Sequence, residues 1–242
     1  MNNKSLIKKV KNLPVPILPT MVGAFTLSNV YSGMGYTWIR HITAWAAIAV
    51  ILSYILKICF HFDTVKKEYS NTIPASLYAG FTMLTMILGS YFYNASPVFG
   101  KTLWFVGLIL HAIQILVFTY NNVIKNFNMQ TFVPSWFVTY NGIMVSTVVG
   151  GVMNEPLIGK IVVYYGIAVF TVIIPFMIYR LAKHEIKDPV YHTQAILLAP
   201  SSLCLVSYLN FISTPNKFII YYLYCAVICA LIFILIKLPK FF

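Results

Sequence analysis

The residues of this chain that could do chemistry are hydroxyl-bearing side chains, and they are concentrated in every second apolar segment. Hydroxyl groups along a polar path can hydrogen-bond a passing solute without holding it so tightly that it cannot leave. The residues that we predict to line such a path are Thr20, Thr26, Thr82, Thr85, Thr139, Ser146, Thr147, Ser202 and Ser207. A hydroxyl accepts as well as donates hydrogen bonds, so these residues by themselves predict a polar solute rather than an anion.

Serine, threonine, asparagine and glutamine are frequent in the odd-numbered apolar segments and sparse in the even-numbered ones. The alternative interpretation is close helix packing, because small and hydroxyl-bearing residues let membrane helices approach and hydrogen-bond one another. The strict alternation along the chain favours a polar path.

A proline lies at or near the start of each odd-numbered segment, at intervals of roughly 55–65 residues, which indicates an internal repeat of two helices. A proline inside a helix removes a hydrogen bond and bends the helix. The kink candidates are Pro19, Pro74, Pro134 and Pro200. Pro200 is the strongest of them, because the other three are also compatible with the first turn of a helix.

The elements that must position these residues are membrane helices. With 60% apolar and 9% charged residues, a chain of 242 residues has too little interior to be soluble. Apolar stretches of about 20 residues cross a bilayer as helices, because lipid cannot satisfy backbone polar groups. The sequence predicts an all-α polytopic protein with one transmembrane domain over 1–242. Its eight predicted spans form four hairpins, in which the odd-numbered helices are inner and the even-numbered helices are outer. The spans are 17–36, 38–60, 74–93, 102–122, 135–153, 158–182, 194–212 and 217–238.

The net charge of +12 follows membrane topology and does not indicate a nucleic-acid partner. If the N-terminus is inside, four basic residues fall outside, namely Arg40, Lys101, Lys160 and Lys217, and all others fall inside. This asymmetry is the positive-inside rule, and it predicts a multi-pass protein of the cytoplasmic membrane with both termini cytoplasmic. The stretch Arg180–Pro189 is then expected to be a solvated turn that faces anionic lipid headgroups.

The other reactive residues predict no catalytic chemistry. No charged residue falls near the centre of a predicted span, which argues against proton-coupled transport and favours a passive mechanism. Cys225 and Cys229 share a helix face without a histidine or carboxylate nearby, so we expect no metal and no cofactor. His111 is expected to hydrogen-bond a neighbouring helix, with proton sensing as the alternative. No motif supports an enzyme.

Three stretches resemble the TehA family of tellurite-resistance and dicarboxylate transporters, which is related to plant slow anion channels. These stretches are Leu18-Pro-Thr20 with Gly23, Pro134-Ser-Trp-Phe137, and Ile196-Leu-Leu-Ala-Pro-Ser-Ser-Leu-Cys-Leu-Val-Ser-Tyr208. The resemblance implies five helical hairpins around a pore of proline-kinked odd helices, and a homotrimer in which each subunit has its own pore. It also implies small anions as permeants: malate and other C4-dicarboxylates, sulfite, tellurite-related anions, nitrate or chloride.

The chain departs from that family pattern in length. The family has ten helices, and the eight predicted here correspond to that fold without its last hairpin. The phenylalanine that gates the family's pore lies on the ninth helix, so no residue of this chain is expected to take that role. The alternative hypothesis is therefore a truncated or non-conducting membrane fragment or scaffold.

Overall fold

The computed structural model describes residues 9–241, and that part of the chain is helical, with no strand. Two of the lysines predicted on the cytoplasmic side, Lys4 and Lys8, lie outside it. Six helices in the described range are long and apolar enough to cross a membrane. They are Thr37–Phe60, Thr72–Tyr93, Pro97–Lys125, Pro156–Lys183, Asp188–Phe211 and Lys217–Lys240. The protein is therefore a multi-pass membrane protein.

Two of the eight predicted spans are not among these six helices. The first predicted span is a single helix, Ile17–Gly33, of 17 residues, slightly shorter than the roughly 20 that a crossing needs. The fifth, around 136–153, is divided into short helical pieces. The total of eight spans stays a prediction.

The α-helices follow one another without intervening strands in the described range. They are α1 (Ile17–Gly33), α2 (Thr37–Phe60), α3 (Phe62–Tyr69), α4 (Thr72–Leu77), α5 (Ala79–Tyr93), α6 (Pro97–Thr119), α7 (Trp136–Tyr140), α8 (Val145–Val149), α9 (Pro156–Lys183), α10 (Leu198–Phe211) and α11 (Lys217–Lys237). A π-helical segment, Tyr120–Lys125, extends α6. The 3₁₀ segments are Gly142–Met144, Gly150–Met153, Asp188–Leu197 and Leu238–Lys240.

The described part of the chain forms two compact units, one up to His111 and one from Ala112 onward. In the first unit α1 packs against α2 and α5, and α2 also packs against α5. In the helix Thr72–Tyr93, 78% of the most apolar stretch is buried inside the protein. In the helix Thr37–Phe60, the buried share of the corresponding stretch is 22%. The odd-numbered span is thus the central helix of this unit, and its even-numbered neighbour is peripheral.

In the second unit α10 is the central element, with contacts to α8, α9 and α11. The buried share of the most apolar stretch is 44% for Asp188–Phe211, 28% for Pro156–Lys183 and 6% for Lys217–Lys240. In both units, therefore, the odd-numbered spans are more buried than the even-numbered spans.

The four prolines lie close to helix beginnings. Pro19 is the third residue of α1, Pro74 is the third residue of α4, and Pro134 lies two residues before α7. Pro200 is the third residue of α10, directly after the 3₁₀ segment Asp188–Leu197. Because proline has no N–H and its ring clashes with the carbonyl four residues earlier, an α-helix cannot continue smoothly through Pro200 from the N-terminal side. The seventh span therefore changes from 3₁₀ to α geometry at this point.

Candidate functional site

Most of the nine predicted hydroxyl residues are buried. Thr20 is exposed, Thr26 and Ser202 are half-buried, and the other six are buried. Two of the nine form a hydrogen bond with each other, and a third forms a hydrogen bond with a histidine.

The two that meet are Thr147 in α8 and Ser207 in α10, and both are buried. Oγ1 of Thr147 and Oγ of Ser207 lie 2.6 Å apart, and Oγ1 of Thr147 is also 2.6 Å from the carbonyl oxygen of Met144. This contact connects the fifth and seventh spans through hydroxyl groups within the second unit.

The third is Thr82 in α5, whose Oγ1 lies 2.7 Å from Nδ1 of His111 in α6. The same oxygen donates to the carbonyl of Ala79 at 2.8 Å. A hydroxyl has one proton and a carbonyl can only accept, so the histidine Nδ1–H is the donor to Thr82. The interhelical hydrogen bond predicted for His111 is confirmed, and its side chain is fully buried.

Several other hydroxyl protons are held by their own helix. Thr20 donates to Pro16, Thr26 to Val22, Thr85 to Phe81 and Ser202 to Leu198, each to a backbone carbonyl oxygen at 2.8–2.9 Å. These side chains therefore present oxygen lone pairs outward. A bound acceptor can receive such a proton only if the hydroxyl turns away from its carbonyl, at a cost of about 1 kcal/mol for each hydrogen bond exchanged. Such exchange gives weak and reversible binding.

The fifth span has the most irregular backbone of the buried spans. It runs from α7 through the 3₁₀ turn Gly142–Met144 to α8, and then through a second 3₁₀ turn, Gly150–Met153. Asn154 follows in the left-handed region, with a φ of 53°. A 3₁₀ turn bonds residue i to i+3 and redirects the backbone polar groups, and inside a longer helix it often marks a functional hinge.

Asn141 lies at the first of these breaks and is fully buried. Its Nδ2 donates to the carbonyl oxygen of Gly166 in α9 at 3.0 Å and lies 3.7 Å from Sδ of Met144 and from Sγ of Cys204. Its Oδ1 is buried without a hydrogen-bond partner. An unpaired buried acceptor costs about 1–3 kcal/mol, so this oxygen is a place where a water or another donor binds favourably.

The glycines of α5 and α6 support the alternative interpretation, close packing. A Cβ added at Gly80 would lie 2.8 Å from the backbone of Leu18 and Pro19, and one added at Gly89 would lie 2.6 Å from the backbone nitrogen of Trp104. These helices touch backbone to backbone, which only glycine permits. Gly23 in α1 is different, since nothing lies within 4 Å of a Cβ added there. Small residues of the odd spans therefore serve packing at some positions and line open space at others.

The first unit contains an ion pair that the sequence did not predict. Lys57, fully buried near the end of α2, donates to both carboxylate oxygens of Glu68 and to the carbonyl of Leu13, each at 2.8 Å. Tyr78 donates to Oε2 of Glu68 at 2.5 Å. Tyr69 packs against Tyr78, and burial raises the pKa of Tyr69. Lys57 could have indicated this pair, because it is a cation inside an apolar helix, and Glu68 lies in α3, the next helix along the chain.

The expectation of a solvated turn is wrong for Arg180. Its side chain is buried, its Nε donates to the carbonyl of Met129 at 2.8 Å, and Nη1 donates to the carbonyl of His184 at 2.7 Å. A guanidinium directs several donors in a fixed plane, so one arginine can hold both the loop before α7 and the end of α9.

Hydroxyl and amide side chains on the most buried spans of a helical membrane protein, with one such span broken, are typical of channels and transporters. Residues 20–241 match the voltage-dependent anion channel family, SLAC1. The match covers nearly all of the chain, and the chain belongs to this family. The resemblance inferred from the three sequence stretches is thereby confirmed.

One curated relative is the tellurite resistance protein TehA homolog of Haemophilus influenzae. The two sequences are 22% identical over 170 residues, which is 67% of this chain and 50% of the relative. The chain thus matches about half the length of that protein.

Proposed function

We propose that this protein conducts anions passively across a membrane, along a path lined by its odd-numbered spans. The observation that carries the proposal is the family match over residues 20–241. The geometry supports a weak-binding path, because hydroxyl groups held by their own helices exchange hydrogen bonds at low cost. The residues proposed to contribute are the nine hydroxyls, with Asn141 added because its buried polar side chain lies at the break in the fifth span.

The finer features are proposals at the same level. The permeants are C4-dicarboxylates such as malate, tellurite-related anions, sulfite or small inorganic anions. The protein is a homotrimer of the cell membrane, with both termini on the cytoplasmic side, as the distribution of its lysines and arginines favours. Pro19, Pro74, Pro134 and Pro200 set the geometry of the odd spans in this proposal.

The test is anion flux through the purified full chain in liposomes. With a salt gradient across the vesicle membrane, the potential of zero current should follow the anion gradient. The flux should also differ among chloride, nitrate, sulfite and malate. Protein-free liposomes are the control for leakage. A zero-current potential that follows the cation gradient contradicts the proposal. Normal insertion without any flux favours the alternative of a non-conducting membrane protein.

A further inference from the structure

A cavity of about 520 Å³ lies in the first unit, between the first turns of α2, the end of α1 and the end of α5. Its polar end is lined by Thr37, Arg40 and His41, together with Asn94 of the turn after α5. All of these residues belong to the first unit, and none of them contributes to the hydroxyl path described above.

Arg40 carries a charge that the protein leaves unpaired. Its Nε is buried without a hydrogen-bond partner, and its guanidinium carbon lies 5.7 Å from the centre of the Tyr91 ring. The ion pair of Lys57 with Glu68 does not involve Arg40, and no acidic residue lines the cavity. A desolvated cation is costly unless it is paired and hydrogen-bonded. Arg40 is half-buried, so part of this cost applies to it, and no acidic side chain at the cavity offsets that cost.

Tyr91 and His41 hold the polar end in place. Nδ1 of His41 and the hydroxyl oxygen of Tyr91 are 2.7 Å apart, and their rings meet edge to face at 5.7 Å. The ring beneath the guanidinium is thus fixed by a partner on α2. Nε of Arg40 is buried here, while the side chain as a whole is half-exposed.

The lining changes from polar to apolar along α2. Trp45 and Ile48 line the part further along α2, and Ile48 lies eight residues beyond Arg40, or about 12 Å along the helix. Trp45 is 68% exposed, so the apolar part opens toward the helix surface that faces lipid. A free oxyanion would pair with Arg40 and leave these apolar walls unfilled, whereas a phospholipid matches both ends.

We propose that this cavity binds a membrane phospholipid, with its phosphodiester at the Arg40 guanidinium and an acyl chain against Trp45 and Ile48. Arginine suits this ligand because its planar donors bind phosphate oxygens in pairs. The proposal concerns lipid binding, so it stands independently of whether the protein conducts anions.

The test is a titration of the purified full chain in neutral detergent, followed by native mass spectrometry. Phosphatidylglycerol should bind the wild type, whereas diacylglycerol with the same acyl chains and inorganic phosphate should bind far more weakly. Arg40→Gln should weaken phosphatidylglycerol binding about tenfold or more, since it removes charge-assisted hydrogen bonds to phosphate. Lys160→Gln is the matched control: it removes an exposed basic charge that is not among the residues lining the cavity, and it should leave binding unchanged.

Two further variants keep the test decisive if Arg40→Gln folds poorly. Arg40→Lys retains the charge and loses the planar donors, so its affinity should fall between those of the wild type and Arg40→Gln. Trp45→Ala should weaken binding of long-chain phosphatidylglycerol more than that of a dihexanoyl analogue. Equal lipid affinity in the wild type and Arg40→Lys, or inorganic phosphate binding as tightly as the lipid, would overturn the proposal.

Discussion

Nζ of Lys57 lies 2.8 Å from each carboxylate oxygen of Glu68, and the lysine side chain is fully buried. Together with the carbonyl of Leu13 and the hydroxyl of Tyr78, this pair connects the segment before α1, the end of α2, the short helix α3 and the α4–α5 span. The carboxylate receives donors from two residues, so the charge of the fully buried lysine is satisfied, while the glutamate side chain stays 26% exposed.

The first prediction concerns the carboxylate. Glu68→Gln leaves the buried ammonium of Lys57 without a counter-charge, and loss of one partner from a buried pair costs about 3 kcal/mol or more. We expect a clearly lower midpoint of thermal unfolding in mild detergent. Glu185→Gln makes the same chemical change at an exposed position and should leave the midpoint unchanged. Lys57→Met in the Glu68→Gln background should recover part of the loss, and equal midpoints for wild type and Glu68→Gln would contradict the assignment.

The second prediction distinguishes a glycine in close helix packing, Gly89, from a glycine beside open space, Gly23. Gly89→Ala places a methyl group 2.6 Å from the backbone nitrogen of Trp104 and 2.7 Å from the carbonyl of Gly100, and the backbone there cannot yield cheaply. We expect a loss of about 1–3 kcal/mol in the free energy of unfolding. Gly23→Ala meets no atom within 4 Å and should be neutral, or stabilising by up to about 1 kcal/mol. Chemical denaturation in mixed micelles compares the two, and similar losses would refute the distinction.

The third prediction concerns the hydroxyl contact between the fifth and seventh spans. Thr147→Val keeps the shape of the side chain and removes its hydrogen bonds to Ser207 and Met144, at a cost of about 1 kcal/mol. Combining it with Ser207→Ala should add little further loss, because the two share one interaction. If this contact belongs to the path, anion flux should change in both single variants. Thr171→Val removes an exposed hydroxyl on α9 and should leave flux unchanged. Full additivity of the two losses would show that the residues are not coupled.

The sequence was sufficient to predict the helical membrane architecture and the family, because both depend on local composition and on short stretches of residues. Contacts between residues far apart in the chain could not be predicted from the sequence. The carbonyls that bind Arg180 at Met129 and Gln130 lie about 50 residues earlier in the chain. The counter-charge of Lys57 lies beyond the end of its helix, so the lysine alone predicted only topology.

The break in the fifth span was also not predicted, and the reason is packing. Gly142 lowers helix stability only weakly, and no proline lies within 136–153. A shift from i+4 to i+3 hydrogen bonds is a small local difference, decided by which side chains fit against the neighbouring helix. Here Met144 packs at Gly166, where an added Cβ would overlap its sulfur, and Asn141 donates to the carbonyl of the same glycine.

The last prediction tests Asn141, whose amide joins this break to α9. Asn141→Leu removes one hydrogen bond and also one buried acceptor without a partner, so the two effects on stability offset each other to within about 1 kcal/mol. Asn141→Asp places an acceptor or a negative charge against the carbonyl of Gly166. It should lower stability, and a charge beside the path should repel anions.

Flux measured in liposomes at equal protein density should therefore be lower for Asn141→Asp than for Asn141→Leu, and the difference should shrink as pH falls and the introduced carboxyl group is protonated. Cys204→Ser, which changes a side chain in contact with the same amide without adding charge, is the control. If Asn141→Asp inserts normally and conducts like the wild type at every pH, Asn141 holds the helices together and does not contact the permeating ion.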